Sequence, residues 1–303
     1  MNTTRDMEKE PCRQYFEDHG YVVIPGLLPP NLIDKVLSLY RRDILSSKTK
    51  FYRQSTSFYE RNRLTNYGHV TQSFLDIHNY KRFPEFREAA LSLYFSKELL
   101  KGLSDVTGHE RHNLMQSMLF DANVATIPHQ DWWYLDTFPN GHLLAAWIAL
   151  EDIEEDAGRF YVMPNTQDVV MHEPNLPHSV WLERMRDFTD KNPHRVHAPA
   201  LKKGDVLFWN SRTIHGSLET RDQKYSRKSL TGHFMPSDMA YGNLFTAKPW
   251  VRYEKYGEHN YFANQPEYSV KAELISKVKV ALYDSPRLMR LVRKFQRSSV
   301  ADA

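Results

Sequence analysis

The chain contains a single cysteine, Cys12, so it can form neither an internal disulfide nor a CxxC zinc site, and a reducing compartment is expected. No apolar run approaches the roughly 18 residues that a membrane span needs. The opening MNTTRDMEKEP is polar and acidic, without the basic and then apolar pattern of a signal peptide or the basic character of a transit peptide. A cytoplasmic protein is therefore expected. Internal repeats and low-complexity tracts are missing. The formal net charge is only +3, and apart from a gathering of basic residues near the C-terminus it is dispersed. That balance gives no reason to expect a nucleic-acid partner, and the sequence carries no sign of oligomeric state.

What is present is the composition of a soluble enzyme: 303 residues, 41% hydrophobic, 13% aromatic and 25% charged. The length allows a substantial core, and one domain over 1–303 is expected. Residues 12–44 read as helix, strand, helix, with CRQYFEDHG closing on Gly20 and PPNLIDKVLSLYRRDIL carrying apolar residues at helical spacing. The mixed segment 51–68 reads as a long loop or lid, and 84–105 as helix, which completes an N-terminal helical module over about 12–105. From about 113 to 236 the texture changes to short apolar or alternating runs separated by turns: NLMQSMLFD, HLLAAWIAL, GRFYVMP, GDVLFWN and KSLTGHF. A long insertion at 165–200 interrupts them, with a short helix around SVWLERMRDF. The tail returns to helix at Lys271–Tyr283. A second amphipathic helix is expected after Ser285 and Pro286, with Leu288, Leu291, Val292 and Phe295 opposite Arg287, Arg290, Lys294 and Arg297. Together these give a C-terminal helical extension over about 268–298.

The stretch IPHQDWWYLD sets His129 and Asp131 two residues apart, so an extended backbone points both to one side while Gln130 faces away. About one such pair is expected by chance in this composition, so the pair needs context. WNSRTIHGS supplies it, because His215 follows the strand GDVLFWN and can project an imidazole into the same space. Two imidazoles and one carboxylate on one side of a metal are the ligand set of non-haem Fe(II) oxygenases. Zinc accepts the same donors. Arg227, 12 residues beyond His215, separates the two metals. A guanidinium there can grip the far carboxylate of a dicarboxylic 2-keto acid chelated to iron. The formal charges of ion, Asp131, cosubstrate and Arg227 then cancel.

In these motifs the chain resembles the phytanoyl-CoA dioxygenase family of Fe(II)/2-oxoglutarate oxygenases. The resemblance runs from YFEDHGYVVIPGLLPPNLID through IPHQDWW and LLAAWIALEDIEEDAGRFYVMPNTQ to HGSLETRDQKYSRKSL. It implies a mainly β fold, a double-stranded β-helix (jelly-roll, cupin-like) core with N-terminal and C-terminal helices. It implies that His129, Asp131 and His215 hold Fe(II), and that Arg227 and Ser217 bind the distal carboxylate of 2-oxoglutarate. Trp147 and Gln130 would line that pocket, and Gln116 occupies a strand position that binds the cosubstrate in some relatives. O2 is the co-reactant. Where the family often has PGSH, this chain has PNTQ at 164–167. Asp131 is retained where halogenating relatives carry a small residue, which implies hydroxylation of a C–H bond with release of succinate and CO2.

Trp132, Trp133 and Tyr134 follow the metal pair, and alternate members of this run are expected at the mouth, against a small-molecule substrate. His172, His178, His194, Arg195 and His197 in the insertion, with Arg53, Arg61 and Arg63 in the expected lid, hint at an anionic or carrier-linked substrate. The pairs in H109ERH112 and H194RVH197 have zinc-like spacing without further ligands and read as surface. Two alternatives stand beside the oxygenase: a zinc hydrolase or isomerase using the same ligands, and a catalytically inactive binding protein.

Overall fold

A computed structural model describes residues 12–173 and 176–283. Helix α1 (Cys12–His19) buries Tyr15 and Phe16 and stops at Gly20, whose φ of 76° is the left-handed conformation glycine adopts without strain. Strand β1 (Tyr21–Ile24) follows, then α2 (Pro30–Leu39), which buries Ile33, Val36 and Leu37. The helix expected to run on unbroken instead widens into a π-helical turn at Tyr40–Leu45. The segment expected as an irregular lid begins with a hairpin of β2 (Phe51–Arg53) and β3 (Phe58–Glu60), followed by the short β4 (Phe74–Leu75). The helical stretch from 84 divides into α3 (Pro84–Tyr94) and α4 (Lys97–Thr107), because Ser96 leaves the helix and caps the second one by accepting from Leu99 N–H.

The β core comprises β5 (His112–Phe120), β6 (Asp136–Phe138), β7 (Leu144–Ala149) and β8 (Phe160–Val162), then, after helix α5 (His178–Lys191), β9 (Val206–Asn210), β10 (His215–Ser217) and β11 (Ser229–Pro236). The five apolar runs read from the sequence are β5, β7, β8, β9 and β11. Strands β12 (Ala240–Gly242), β13 (Tyr253–Tyr256) and β14 (His259–Phe262) and helix α6 (Val270–Tyr283) complete the described chain. The large sheet runs β1-β9-β7-β11-β5-β14-β13, with β4 also on β5, and two short ladders, β10–β8 and β12–β6, stand apart from it. Phe160 from β8, stacked on Trp147 and tilted against Trp209 of the large sheet, joins the layers. This is the mainly β jelly roll with flanking helices that was expected. The sheet reaches beyond 113–236, however, since it recruits β1 at one edge and β13 and β14 at the other.

Alternation sorts the large sheet into two faces. One carries Phe208, Ala146, Gly232 and Phe234 toward the helices. A Cβ on Gly232 would lie 2.6 Å from Phe234 and 2.9 Å from Tyr94 of α3, so the missing side chain is what lets the helix approach. The other face carries Trp147, Trp209, Thr231 and His233, and it looks into the roll. Helix α6 is tied back by Lys50 to Glu273 at 2.8 Å and by Ser276 Oγ donating to Ser57 O at 2.5 Å. The second tail helix expected after Ser285 lies outside the described residues.

One histidine read as surface is not. His112 is 3% exposed at the head of β5, its Nε2 2.9 Å from Thr107 Oγ1. Burial pushes its pKa down to about 4, and burial does the same to His78. In the unfolded chain both titrate near about 6.5. Their contribution to stability is therefore complete above that pH and is lost as pH falls toward about 4, where the unfolded chain binds the extra protons. Asp76 and Asp136, pushed up by burial to about 7 and about 6, act in the opposite sense. A difference measurement isolates the histidine: the stability of native protein minus that of His112→Gln, from urea denaturation, should shrink as pH is lowered from 7 to 4.5. A constant difference would contradict the assignment.

Candidate active site

IPHQDWWYLD does not run on as a strand. His129 pairs with His215 through one antiparallel bridge, each N–H donating to the other's carbonyl at 3.0 Å, and after extended Gln130 a 3-10 turn, Asp131–Trp133, begins. Convergence survives the change of element. One donor atom from each of His129, Asp131 and His215 lies within 4.8 Å of the others. His129 Nδ1 sits 2.8 Å from Ile127 O and His215 Nδ1 2.9 Å from Thr213 O. These carbonyls accept from protonated Nδ1, which leaves both Nε2 lone pairs free to bind. The Nε2 atoms stand 3.5 and 3.4 Å from Asp131 Oδ1, while Asp131 Oδ2 accepts from Trp209 Nε1 at 2.9 Å. Burial alone would raise the Asp131 carboxyl, but the imidazoles of His215 and His233 outweigh it and hold the group well below the usual carboxylate range. Two nitrogen donors and one oxygen aimed at one point fit a divalent transition metal.

Arg227, fully buried just ahead of β11, lies between the rings of Phe120 and Trp147, 5.6 and 6.0 Å from their centroids. Its Nη1 donates to Gly158 O at 3.2 Å, its Nε has no partner, and no carboxylate among the described residues pairs with it. Burial draws its pKa down to about 9, and it remains a cation at neutral pH. Gly158 has a φ of 77°, and a Cβ there would lie 2.2 Å from Asn123 Nδ2 and 2.8 Å from Leu218 O, so only glycine lets this turn approach the arginine. Ser217 is two residues along the facing ladder. Its Oγ accepts from Thr126 N–H at 2.8 Å, and its own proton stays available to a ligand. Gln116 stands on the interior face, opposite His233.

Other expected site residues lie elsewhere. Gln130 is buried away from the arginine: Nε2 donates to the carbonyls of Arg212, Val169 and Thr166, and Oε1 accepts from Trp132 Nε1, so the residue braces the turn. That same bond, with the edge of His172 and the Arg212 guanidinium 5.1 Å away, packs Trp132 below the surface. Trp133 stacks on Trp181 of α5 at 4.5 Å and docks the insertion. Of the three aromatics, Tyr134 is the exposed one: it is 40% exposed, 6.0 Å from the His129 ring, and its hydroxyl is 2.7 Å from His178 Nε2. The basic residues invoked for an anionic substrate do not form one patch. Arg53 is fully buried and donates to Ser73 O and Asn62 Oδ1, and Arg195 donates to Pro164 O and Asn165 O. In the PNTQ turn, Asn165 adopts a φ of 58°, a left-handed conformation that asparagine tolerates.

Three contributors were not singled out beforehand. Trp209 holds Asp131, Phe160 lies between Trp147, Trp209 and His215, and His233 stands beside the carboxylate. Alternation along GDVLFWN, GRFYVMP and KSLTGHF places all three on interior faces and could have found them.

A jelly roll that gathers two histidines and an aspartate, with a desolvated arginine on the same interior, defines a class of metal-dependent oxygenases. Residues 16–229 match the family model of phytanoyl-CoA dioxygenase (PhyH), most of the chain, and the chain belongs to that family. It is accordingly an oxygenase dependent on Fe(II), 2-oxoglutarate and O2. The peroxisomal phytanoyl-CoA dioxygenase of Bos taurus is 25% identical over 241 residues, 76% of this chain and 69% of its own, and the Homo sapiens enzyme is 24% identical over 245 residues, with the same shares covered. Among solved structures, the epimerase SnoN in complex with Fe3+, alpha-ketoglutarate and nogalamycin RO superposes with a TM-score of 0.59 at 17% identity over 84% of this chain and 97% of that one. EctD from S. alaskensis with 2-oxoglutarate and 5-hydroxyectoine gives 0.52 at 16% identity over 82% of each. Both share the fold. No helix among the described residues is long and apolar enough to cross a membrane.

An unpaired buried cation burdens the ligand-free fold. Arg227→Met should leave that fold at least as stable, with a gain of about 1–4 kcal/mol by analogy with buried ion replacements. It should also abolish the thermal stabilisation given by 2-oxoglutarate. A variant that is destabilised yet still responds to 2-oxoglutarate would show that the arginine is structural.

Proposed function

We propose that this protein hydroxylates an unactivated C–H bond of a small-molecule metabolite, with 2-oxoglutarate leaving as succinate and CO2. The observation that carries the reading is Arg227, a buried guanidinium that pairs with no carboxylate among the described residues, on the same aromatic-lined interior as a cluster of three metal donors. A zinc hydrolase has no use for a second carboxylate site.

In this reading His129 Nε2, Asp131 Oδ1 and His215 Nε2 hold the iron. Arg227 and the Ser217 hydroxyl take the distal carboxylate of 2-oxoglutarate, with Trp147 as a wall and Gln116 reaching the cosubstrate from β5. When bound, iron supplies the oxidising chemistry that side chains cannot. The chain positions the reactants and excludes water. The carbonyls of Ile127 and Thr213 fix the imidazole tautomers, Trp209 orients the carboxylate, and Phe160 with Trp147 keeps the floor dry. Retention of Asp131 supports hydroxylation over halogenation. Tyr134 lines the entrance for a substrate whose class the basic residues do not define. The single thiol, Cys12, supports a reducing compartment, and we keep the cytoplasm as the proposed location.

Anaerobic protein given Fe(II) and 2-oxoglutarate should develop a weak metal-to-ligand charge-transfer band in the visible range. Asp131→Ala combined with His215→Ala should remove it, whereas Tyr134→Ala should keep it and impair only turnover of substrate. A band that survives the double substitution would refute the assignment.

A further inference from the structure

His233 lies six residues beyond Arg227 on β11, on the face that looks into the roll. It is 4% exposed, and neither ring nitrogen has a hydrogen-bond partner. Across the sheet it faces Gln116 on β5 and Ala145 on β7. Its Nε2 stands 3.4 Å from Asp131 Oδ2, and its ring meets that of Trp209 edge-on at 6.0 Å. A leucine would fill this space without burying two unsatisfied nitrogens, which are costly when left unpaired. The imidazole therefore calls for a role outside packing.

The two oxygens of Asp131 are served from different sides. Oδ1 meets the Nε2 atoms of His129 and His215. Oδ2 meets the Trp209 indole N–H and His233 Nε2. His233 is outside the three donors that converge within 4.8 Å, and its Nε2 lies 3.4 Å from the oxygen turned away from them, which argues against a fourth ligand. We infer that His233 is a positioning residue: its Nε2, 3.4 Å from Asp131 Oδ2 and without another partner among the described residues, would join the Trp209 N–H in keeping that oxygen off a bound metal, so that the carboxylate binds through Oδ1 alone. The consequence is a count of positions. A two-oxygen carboxylate with two imidazoles would occupy four of the six sites of an octahedral ion. One-oxygen binding occupies three, leaving two for a chelating 2-oxo acid and one for O2. This rests on the metal-site reading above and adds a requirement to it.

The test uses Co(II), whose visible spectrum reports coordination number, titrated into native protein, Asp131→Ala, His233→Leu and His233→Gln. His233→Leu should match or exceed the thermal stability of the native metal-free protein, bind Co(II) about 10–100-fold more weakly and show an altered Co(II) spectrum. His233→Gln, which keeps an N–H donor, should recover most of the affinity and the native spectrum. If Asp131→Ala loses Co(II) while His233→Leu binds it with native affinity and spectrum, the role given to His233 is overturned and the metal site stands. Equal loss in the leucine and glutamine variants also overturns it, because the ring would then act by shape alone. If Asp131→Ala binds as native, both readings fall.

Discussion

Two backbone hydrogen bonds between His129 and His215 tie together segments 86 residues apart and set their imidazoles 4.2 Å from each other. Everything in the centre is referred to that bridge. On one side the chain turns at once into a 3-10 turn, which brings Asp131 back under both rings. On the other, β10 continues to Ser217 and pairs with β8, whose preceding glycine carries the carbonyl that receives Arg227. A shift of register by one residue would turn His215 to the opposite face and empty the site.

The second constraint is electrostatic. The fold buries a carboxylate held well below its usual pKa and, on the same interior, a guanidinium that pairs with no carboxylate among the described residues. The carboxylate has donors around it, but the guanidinium is not placed for stability, since an isolated buried charge is costly. In the proposed reading a divalent ion and a dianionic keto acid would complete the arrangement, the ion joining the aspartate and the remote carboxylate meeting the arginine. Arg227 Nε and both nitrogens of His233 are among the buried polar atoms of the described residues that lack a hydrogen-bond partner, and all three belong to this interior.

Much of this was legible in the amino-acid order because its physics is local. Alternation gave β5, β7, β8, β9 and β11, and a histidine two residues from an aspartate, a second histidine after a strand and an arginine a dozen residues on gave the chemistry. What escaped depends on tertiary context. Gln130 was given a place in the cosubstrate pocket, but three backbone carbonyls of the folded turn claim its amide. Trp132 and Trp133 were read as parts of one extended run, whereas a helical turn starting at Asp131 sends them into packing against Arg212 and the insertion helix. Arg53 reads as a loop cation until the β2–β3 hairpin seals it beside Phe74, 4.4 Å from the ring centroid. Trp209 and His233 were hidden differently: their strands were recognised, but the carboxylate they address arrives from elsewhere in the chain.

The central claim is that one iron sits at the meeting point of three side chains. Anomalous scattering at the iron edge, from crystals grown anaerobically with Fe(II), locates that ion directly. The account predicts one strong peak within bonding distance of His129 Nε2, Asp131 Oδ1 and His215 Nε2. Metal found elsewhere, or bound without Asp131, would contradict it.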